Sequence, residues 1–363
     1  MAKHLNIMGT RGVPANHGGY ETFAAHLAPY LLKQGWSVTV YCQADDGVDG
    51  LIDDWNGVER IHFVPRSQGA LGTMQFDART VRHVLKRPGI DLVLGYNTAC
   101  FNILQRLRGR KVAMNMDGIE WQRAKWSYPA KAWFFLNELV GTNLANVPIA
   151  DHPEIARHLQ SRSLRSIVTI PYGADAVEDA PVAPLAQFGL EPDRYLIVIG
   201  RPVPENSILE VITAFSRRPR GMKLLVLGKF GDDPYQQACR AAASNEVIFP
   251  GAIFNAAVVQ PLRFHARAYV HGHTVGGTNP SLCEALGAGN AVIAHDNRFN
   301  RWVAGSDQLY FADVMSCEAV IEQALHNDAR LAVARAGARA RHAEAFTWDR
   351  ILSDYETLLE GML

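Results

Sequence analysis

The strongest constraint on the fold of this 363-residue chain is an alternation of strand and helix that runs twice. Apolar runs such as Leu5–Met8, Ser37–Cys42, Val112–Asn115 and Val147–Ile149 are separated by helical patterns, among them Gly19–Lys33, Thr73–Leu85, Ala99–Arg108 and Ala130–Leu139. Strands separated by a helix cannot pair as a hairpin. They need crossovers, and crossovers give a parallel sheet covered on both faces. The stretch 174–194 holds three prolines and no lysine and reads as a linker. The alternation then restarts with strands at Tyr195–Ile199, Lys223–Leu227, Val247–Phe249, Ala268–Val270 and Ala291–Ala294. Helices are expected over Ser207–Ser216, Pro234–Ala243, Ala256–Phe264, Asn279–Leu286, Cys317–Ala345 and Trp348–Glu360. The pattern predicts an α/β protein of two Rossmann-like, doubly wound parallel-sheet domains facing a cleft, with ligands at the carboxyl ends of the strands.

Composition narrows the partners. Lys plus Arg and Asp plus Glu each number 36, so no global charge draws the chain to nucleic acid. The charge is uneven, however. Residues 79–131 carry eleven Lys or Arg against three acids, about +8, and run into aromatics at 121–135. Aromatics among lysines suit an anionic membrane surface; core packing with solvated basic neighbours is the competing reading. Five scattered cysteines without a Cys-x-x-Cys pair point to a reducing compartment and to neither a disulfide framework nor zinc. The chain opens directly on a strand, without a long apolar leader, and the expected location is cytoplasmic.

The richest motif is residues 271–286, which reads as a strand end, a glycine turn and a helix start. Gly276 and Gly277 let the backbone approach a ligand closely. Thr278 or Asn279 is a good N-cap, and Pro280 fits the first helical position. The free amides there form an anion site, and Glu284 is placed to accept from a ribose diol. Phosphate and sugar recognised together suggest a nucleotide sugar; a capped helix with a surface Glu competes. His271 and His273 flank the turn. After Ile199, Arg201 points from a strand end and can grip a diphosphate with paired hydrogen bonds.

The first half offers two further strand-end motifs. Residues 9–22 form a glycine-rich loop without the dinucleotide fingerprint or a P-loop. Amides around Gly12, Gly18 and Gly19 are open to a phosphate or a sugar hydroxyl, and Arg11 adds a permanent cation. Residues 115–126 bring Asp117 and Glu120, either of which can orient or deprotonate a hydroxyl; a capping Asp and a solvated Glu compete. No Asp-x-Asp occurs, so no metal-bridged diphosphate clamp and no cofactor are expected.

These four motifs (9–22, 117–126, 200–206 and 271–286) together resemble GT-B glycosyltransferases of family 4, and more narrowly their bacterial rhamnosyltransferase subgroup. The resemblance implies segments 1–173 for the acceptor, 174–194 as linker, 195–345 for the nucleotide-sugar donor, and 346–363 as a helix packing back on the first domain. It implies retaining, metal-independent transfer, with L-rhamnose from dTDP-L-rhamnose as the donor reading and a saccharide, free or lipid-diphosphate-linked, as acceptor. Arg201 matches the diphosphate-binding Arg, and Glu284 matches the ribose-binding Glu. The family's Lys falls on Asn206, and its sugar-contacting Glu falls on Gly276. Lys229 is the expected substitute cation. The donor set is completed by Gly12, Gly18, Gly19, His271, Gly277, Thr278 and Asn279. Arg11, Tyr20, Glu21, Trp121 and Arg123 are assigned to the acceptor, and Arg201, Asp117 and Glu120 to catalysis. A UDP- or GDP-linked donor, a nucleotide-sugar epimerase and a silent sugar-nucleotide-binding partner remain alternatives. A nicotinamide oxidoreductase is disfavoured.

Overall fold

The computed structural model describes residues 3–15, 18–123 and 125–363. Asn16 and His17 of the first glycine-rich loop, and Ala124, lie outside the described residues. The chain forms two compact units, Met1–Pro171 with Trp348–Leu363, and Tyr172–Thr347.

Unit 1 runs β1 (His4–Met8), α1 (Gly19–Lys33), β2 (Ser37–Gln43), β3 (Ile52–Trp55), β4 (Val58–Phe63), α2 (Gly69–Val84), β5 (Ile90–Leu94), α3 (Ile103–Leu107), β6 (Val112–Asn115), α4 (Tyr128–Leu144), β7 (Val147–Ala150), α5 (Pro153–Gln160) and β8 (Val168–Thr169). Among the described residues these strands make one eight-stranded sheet, ordered β3-β4-β2-β1-β5-β6-β7-β8. Its central strands are buried along nearly their whole length, as a sheet covered on both faces requires. Pairing of Ile7 with Val40 and with Leu92 aligns the strand ends, so the loops after β1, β2 and β5 open at one edge.

Strand β3 was not expected, and it is antiparallel to β4. The turn joining them is Asn56-Gly57, both at positive φ (53° and 86°), the conformation a tight hairpin demands. The acidic pair Asp53-Asp54 disguised this edge strand as a loop. The closing helix, α13 (Trp348–Glu360), belongs to unit 1. Its Ile351, Leu352, Tyr355 and Leu359 are buried, and the Tyr355 ring meets Phe23 at 4.6 Å.

Unit 2 runs β9 (Tyr195–Ile199), α6 (Ile208–Ser216), β10 (Lys223–Leu227), α7 (Pro234–Ala241), β11 (Val247–Gly251), α8 (Ala256–Phe264), β12 (Ala268–His271), α9 (Pro280–Gly287), β13 (Ala291–His295), α10 (Arg298–Ala304), β14 (Leu309–Phe311), α11 (Val314–His326) and α12 (Asp328–Ala345). The sheet is parallel, ordered β11-β10-β9-β12-β13-β14. Alternate residues feed opposite cores, as the strand period of two dictates. Leu196, Val198, Leu224 and Val226 pack with α6 and α11, whereas Tyr195, Ile197, Leu225 and Leu227 pack with Leu262, Leu286 and Phe346.

Two sequence expectations meet a different structure here. The stretch 174–194 is packed into unit 2: Leu185 and Leu190 join its core, and the Ala174 amide donates to the Phe346 carbonyl at 2.8 Å. The single helix expected over 317–345 breaks at Asn327, whose side chain caps α12 by accepting from the Arg330 amide at 2.9 Å.

Candidate functional site

In unit 2 the chain leaves β9 toward β10 on one side and later returns to β12 on the other, so β9 and β12 form a topological switch point. The loops after β9, β10 and β12 therefore meet at one sheet edge, and glycines let their backbones nest. A Cβ on Gly272 would lie 2.3 Å from the Asn206 carbonyl, and one on Gly228 would lie 2.5 Å from the Gly200 carbonyl. Thr274 ties the loops further, its amide and hydroxyl donating to the Glu205 carbonyl at 2.9 and 3.0 Å.

The loop after β9 holds Arg201 by its backbone. The Val203 amide and the Asn206 side-chain amide both donate to the Arg201 carbonyl at 2.8 Å. The Arg201 side chain is exposed, as is Lys229 after β10. Asn206 itself is buried, with its amide on the Arg201 carbonyl. Past β12, Gly276 takes φ +126°, open only to glycine without strain, and Asn279 is the cap of α9, accepting from the Ser281 amide at 3.0 Å. Thr278 is buried beside it. Two exposed cations and a glycine-led helix start thus share one sheet edge, which suits an anion.

His271, at the end of β12, is buried and stacks on His273 with ring centroids 4.2 Å apart. Its Nδ1 lies 3.3 Å from the Tyr269 hydroxyl, which is 2.8 Å from the Ser281 hydroxyl. Burial, reinforced by His273, holds the His271 imidazole well below its ordinary value. His271 therefore supports the start of α9 as a neutral ring. Glu284 is paired with the buried Arg263, an interaction the sequence reading missed. Its one signal was that Arg263 is the single charged residue of helix α8.

In unit 1 the candidates are occupied differently. The Glu21 carboxylate is buried and accepts from the Thr10 hydroxyl at 2.9 Å and the Arg11 amide at 2.8 Å, which fixes the loop after β1 and leaves the Arg11 side chain exposed. Gly12 packs on β2, where a Cβ would lie 2.4 Å from the Cys42 sulfur. Gly18 and Gly19 form the start of α1, and Tyr20 donates to Asn115 at 3.4 Å. Asn115 also accepts from the Asp117 amide at 3.0 Å and donates to Tyr355 at 3.1 Å. Asp117 sits at φ 51°, a conformation costing a non-glycine residue on the order of 1 kcal/mol. Burial first, then the Glu120 carboxylate, pushes its carboxyl up.

Glu120 is engaged three ways: by Arg123 at 2.7 Å, by Lys125 at 3.9 Å and by the Trp126 indole at 3.0 Å. Trp121 is pinned as well, donating at 2.9 Å to the buried Glu138, which also meets His158 at 3.0 Å and Arg162 at 3.1 Å. The basic stretch is partly neutralised by acids outside its window. Arg79 pairs with Asp49 and Arg87 with Glu59, while Arg110 pairs with Asp91 inside it. Arg82, Lys86, Arg106, Arg108 and Lys131 have no carboxylate partner among the described residues, whereas Lys111 donates to the Leu363 carbonyl oxygen at 3.0 Å. Among those residues no cluster of three His, Cys, Asp or Glu is arranged for a metal, and no helix is long and apolar enough to cross a membrane.

Comparison with known proteins bears on the architecture. The sucrose-phosphate synthase of Thermosynechococcus elongatus superposes with a TM-score of 0.82 at 18% identity, covering 99% of both chains. The fold is GT-B. Anabaena HepE, solved in complex with UDP and glucose, matches with a TM-score of 0.76 at 16% identity over 99% of this chain and 100% of its own. A UDP-forming trehalose-phosphate synthase from Burkholderia xenovorans, solved in complex with glucose-6-phosphate, gives a TM-score of 0.76 at 12% identity over 98% of this chain and 100% of its own. Residues 2–175 match a family described as Domain of unknown function (DUF1972). No curated protein matches the chain in sequence.

Proposed function

We propose that this protein is a retaining, metal-independent glycosyltransferase that moves a sugar from a nucleotide diphosphate to a saccharide acceptor. The observation that carries the reading is the unit 2 sheet edge, where exposed Arg201 and Lys229 share a switch point with the glycine-led start of α9. Anabaena HepE and the trehalose-phosphate synthase support it, since one was solved with UDP and glucose and the other is UDP-forming. L-Rhamnose from dTDP-L-rhamnose is the donor we assign, on the Gly276 and Asn206 substitutions. A UDP-linked hexose is the second reading, favoured by the ligands of HepE.

In the reaction the acceptor oxygen attacks the anomeric carbon on the face the phosphate leaves. The bond from that carbon to the phosphate oxygen breaks, and the departing phosphate oxygen takes the acceptor proton. Arg201, Lys229 and the amides of residues 276–279 stabilise the charge that builds on the diphosphate. Glu284 holds the nucleoside sugar, oriented by Arg263. On unit 1, Asp117 accepts a hydrogen bond from the acceptor hydroxyl, while Glu21 and Glu120 fix the loops that position it. Arg11, Tyr20, Trp121 and Arg123 border the acceptor. Arg82, Lys86, Arg108 and Lys131, with exposed Leu107 and Tyr128, dock the protein on anionic lipid at the inner face of the cell membrane when the acceptor is lipid-linked.

A thermal-shift panel of nucleotide sugars tests this. A ligand at 100 times its Kd adds about 2.7 kcal/mol of stability. The reading expects a shift with dTDP-L-rhamnose, retained in EDTA. No shift with any nucleotide sugar would overturn it, and a shift confined to UDP-glucose would favour the second donor.

A further inference from the structure

Unit 1 contains a cavity of about 120 Å³ at the carboxyl ends of β1 and β5. Its wall is mixed, with apolar Met8, Phe76 and Leu94 and polar Gln43, Thr73 and Asn97. Helix α2 delivers Asp77 to that wall, because Phe76, Thr80 and Val84 take the core-facing stripe and leave position 77 on its flank. The Thr98 hydroxyl donates to Asp77 Oδ2 at 2.7 Å. Among the described residues Asp77 has no other hydrogen bond or ion pair. Asp77 is partly buried, and its second carboxylate oxygen has no protein partner among the described residues, which leaves that oxygen open to a ligand hydroxyl or to water.

The lining decides the ligand class. Arg11, from the loop after β1, and Glu21, from α1, are the other charged groups lining the cavity. Glu21 is committed to the Thr10 hydroxyl and the Arg11 amide. The elements from β2 and β5 contribute neutral groups, Gln43, Asn97 and Thr98. Two carboxylates against one guanidinium disfavour an anion, and no three-ligand metal cluster occurs among the described residues. What fits is a neutral polyol, with hydroxyls donating to Asp77 and hydroxyl oxygens accepting from the amides of Gln43 and Asn97.

We propose that this cavity is a monosaccharide subsite for an uncharged sugar of the acceptor, with Asp77 accepting hydrogen bonds from its ring hydroxyls. The word acceptor rests on the transferase reading; the sugar subsite does not. Burial lifts the Asp77 carboxyl to about 6, so the site loses its ionised acceptor in mildly acid solution.

The test uses the full chain and saturation-transfer NMR with methyl α-L-rhamnopyranoside, methyl β-D-glucopyranoside and D-glucuronate, each at roughly 10 mM. A neutral glycoside is expected to bind the wild type at pH 7.5, and about tenfold more weakly to Asp77→Ala. Binding to the wild type should weaken as pH falls through about 6, while Asp77→Asn shows no such step. Three results would overturn the subsite: no transfer to either glycoside, equal affinity in wild type and Asp77→Ala, or preference for glucuronate. Calorimetric titration of dTDP into the same samples reads unit 2 and checks that the variants are folded. If dTDP binds and the glycosides fail, the subsite falls alone. If the glycosides behave as expected and neither dTDP nor UDP, titrated in the same way, binds, the transferase reading falls and the sugar site stands.

Discussion

The strand-end loops of the two units use charge in opposite ways. In unit 2 the cations Arg201 and Lys229 stand exposed, and the polar groups around them serve to hold backbone: Asn206 on Arg201, Asn279 on Ser281, Thr274 on Glu205. In unit 1 the charged candidates are themselves the fasteners. Glu21 holds the loop after β1, and Glu120 gathers Arg123, Lys125 and Trp126. A surface built to meet an anion can leave its cations open to water at little cost. A surface built to meet neutral hydroxyls cannot leave carboxylates both buried and idle, so it spends most of them on its own backbone. Asp117 and Asp77 are spent less: each is partly buried and accepts from one neighbour, the Gly118 amide and the Thr98 hydroxyl, and both have carboxyls raised by burial.

The contrast can be broken most sharply at Arg201. Arg201→Ala should cut sugar transfer by about 10²–10³, or roughly 3–4 kcal/mol of transition-state stabilisation, with the melting temperature unchanged. Unchanged turnover would show that the exposed cation is not part of the site. Glu21→Ala should do the reverse. It leaves the Thr10 hydroxyl and the Arg11 amide without a partner, at about 2–3 kcal/mol, and lowers the melting temperature by roughly 4–12 °C. Binding of dTDP should be unaffected; a stable Glu21→Ala protein would mean that the carboxylate is not a fastener.

Asp77 sharpens the comparison through pH. Its folded value of about 6 lies above its ordinary 3.8, so the folded state holds the proton more tightly. Stability from this group is full below pH about 4, falls as pH rises toward 6, and above that remains as a constant cost on the order of 1–3 kcal/mol. Asp77→Asn should therefore raise the melting temperature at pH 7.5 and change it little at pH 4. Equal gains at both values would show a solvated carboxylate. The smallest effect is at the membrane face. Charge reversal at Lys86, Arg108 and Lys131 should weaken co-sedimentation with anionic liposomes by roughly 1 kcal/mol per residue at low salt. Binding indifferent to the reversal and to salt would leave those residues as solvated surface.

Much of the frame was legible because the helix-separated apolar runs leave few alternatives to a parallel sheet. The helix start at residues 279–280 was legible too, since Asn-Pro after two glycines has a specific backbone meaning. Strand β3 was missed although Asn56-Gly57 announced it, because its acidic residues lack an apolar alternation. Asn327 was read through as mid-helix, although an Asn competes for backbone and breaks the run. The site was legible where function sits in one loop, as at Arg201, and hidden where partners lie far apart in sequence. Arg263 with Glu284, and Asp77 with Thr98, are 21 residues apart in each case and meet only through the fold. Counting charge over 79–131 failed for the same reason, since Asp49 and Glu59 lie outside the window.

Calorimetric titration of dTDP into wild-type protein and Arg201→Ala, both in EDTA, tests most directly whether unit 2 is a metal-free site for a nucleoside diphosphate. The wild type should bind without added metal, and the variant should bind about 100-fold more weakly, a loss of about 2.7 kcal/mol. Equal binding by the two proteins, or binding by the wild type that appears only on adding a divalent cation, would contradict the assignment.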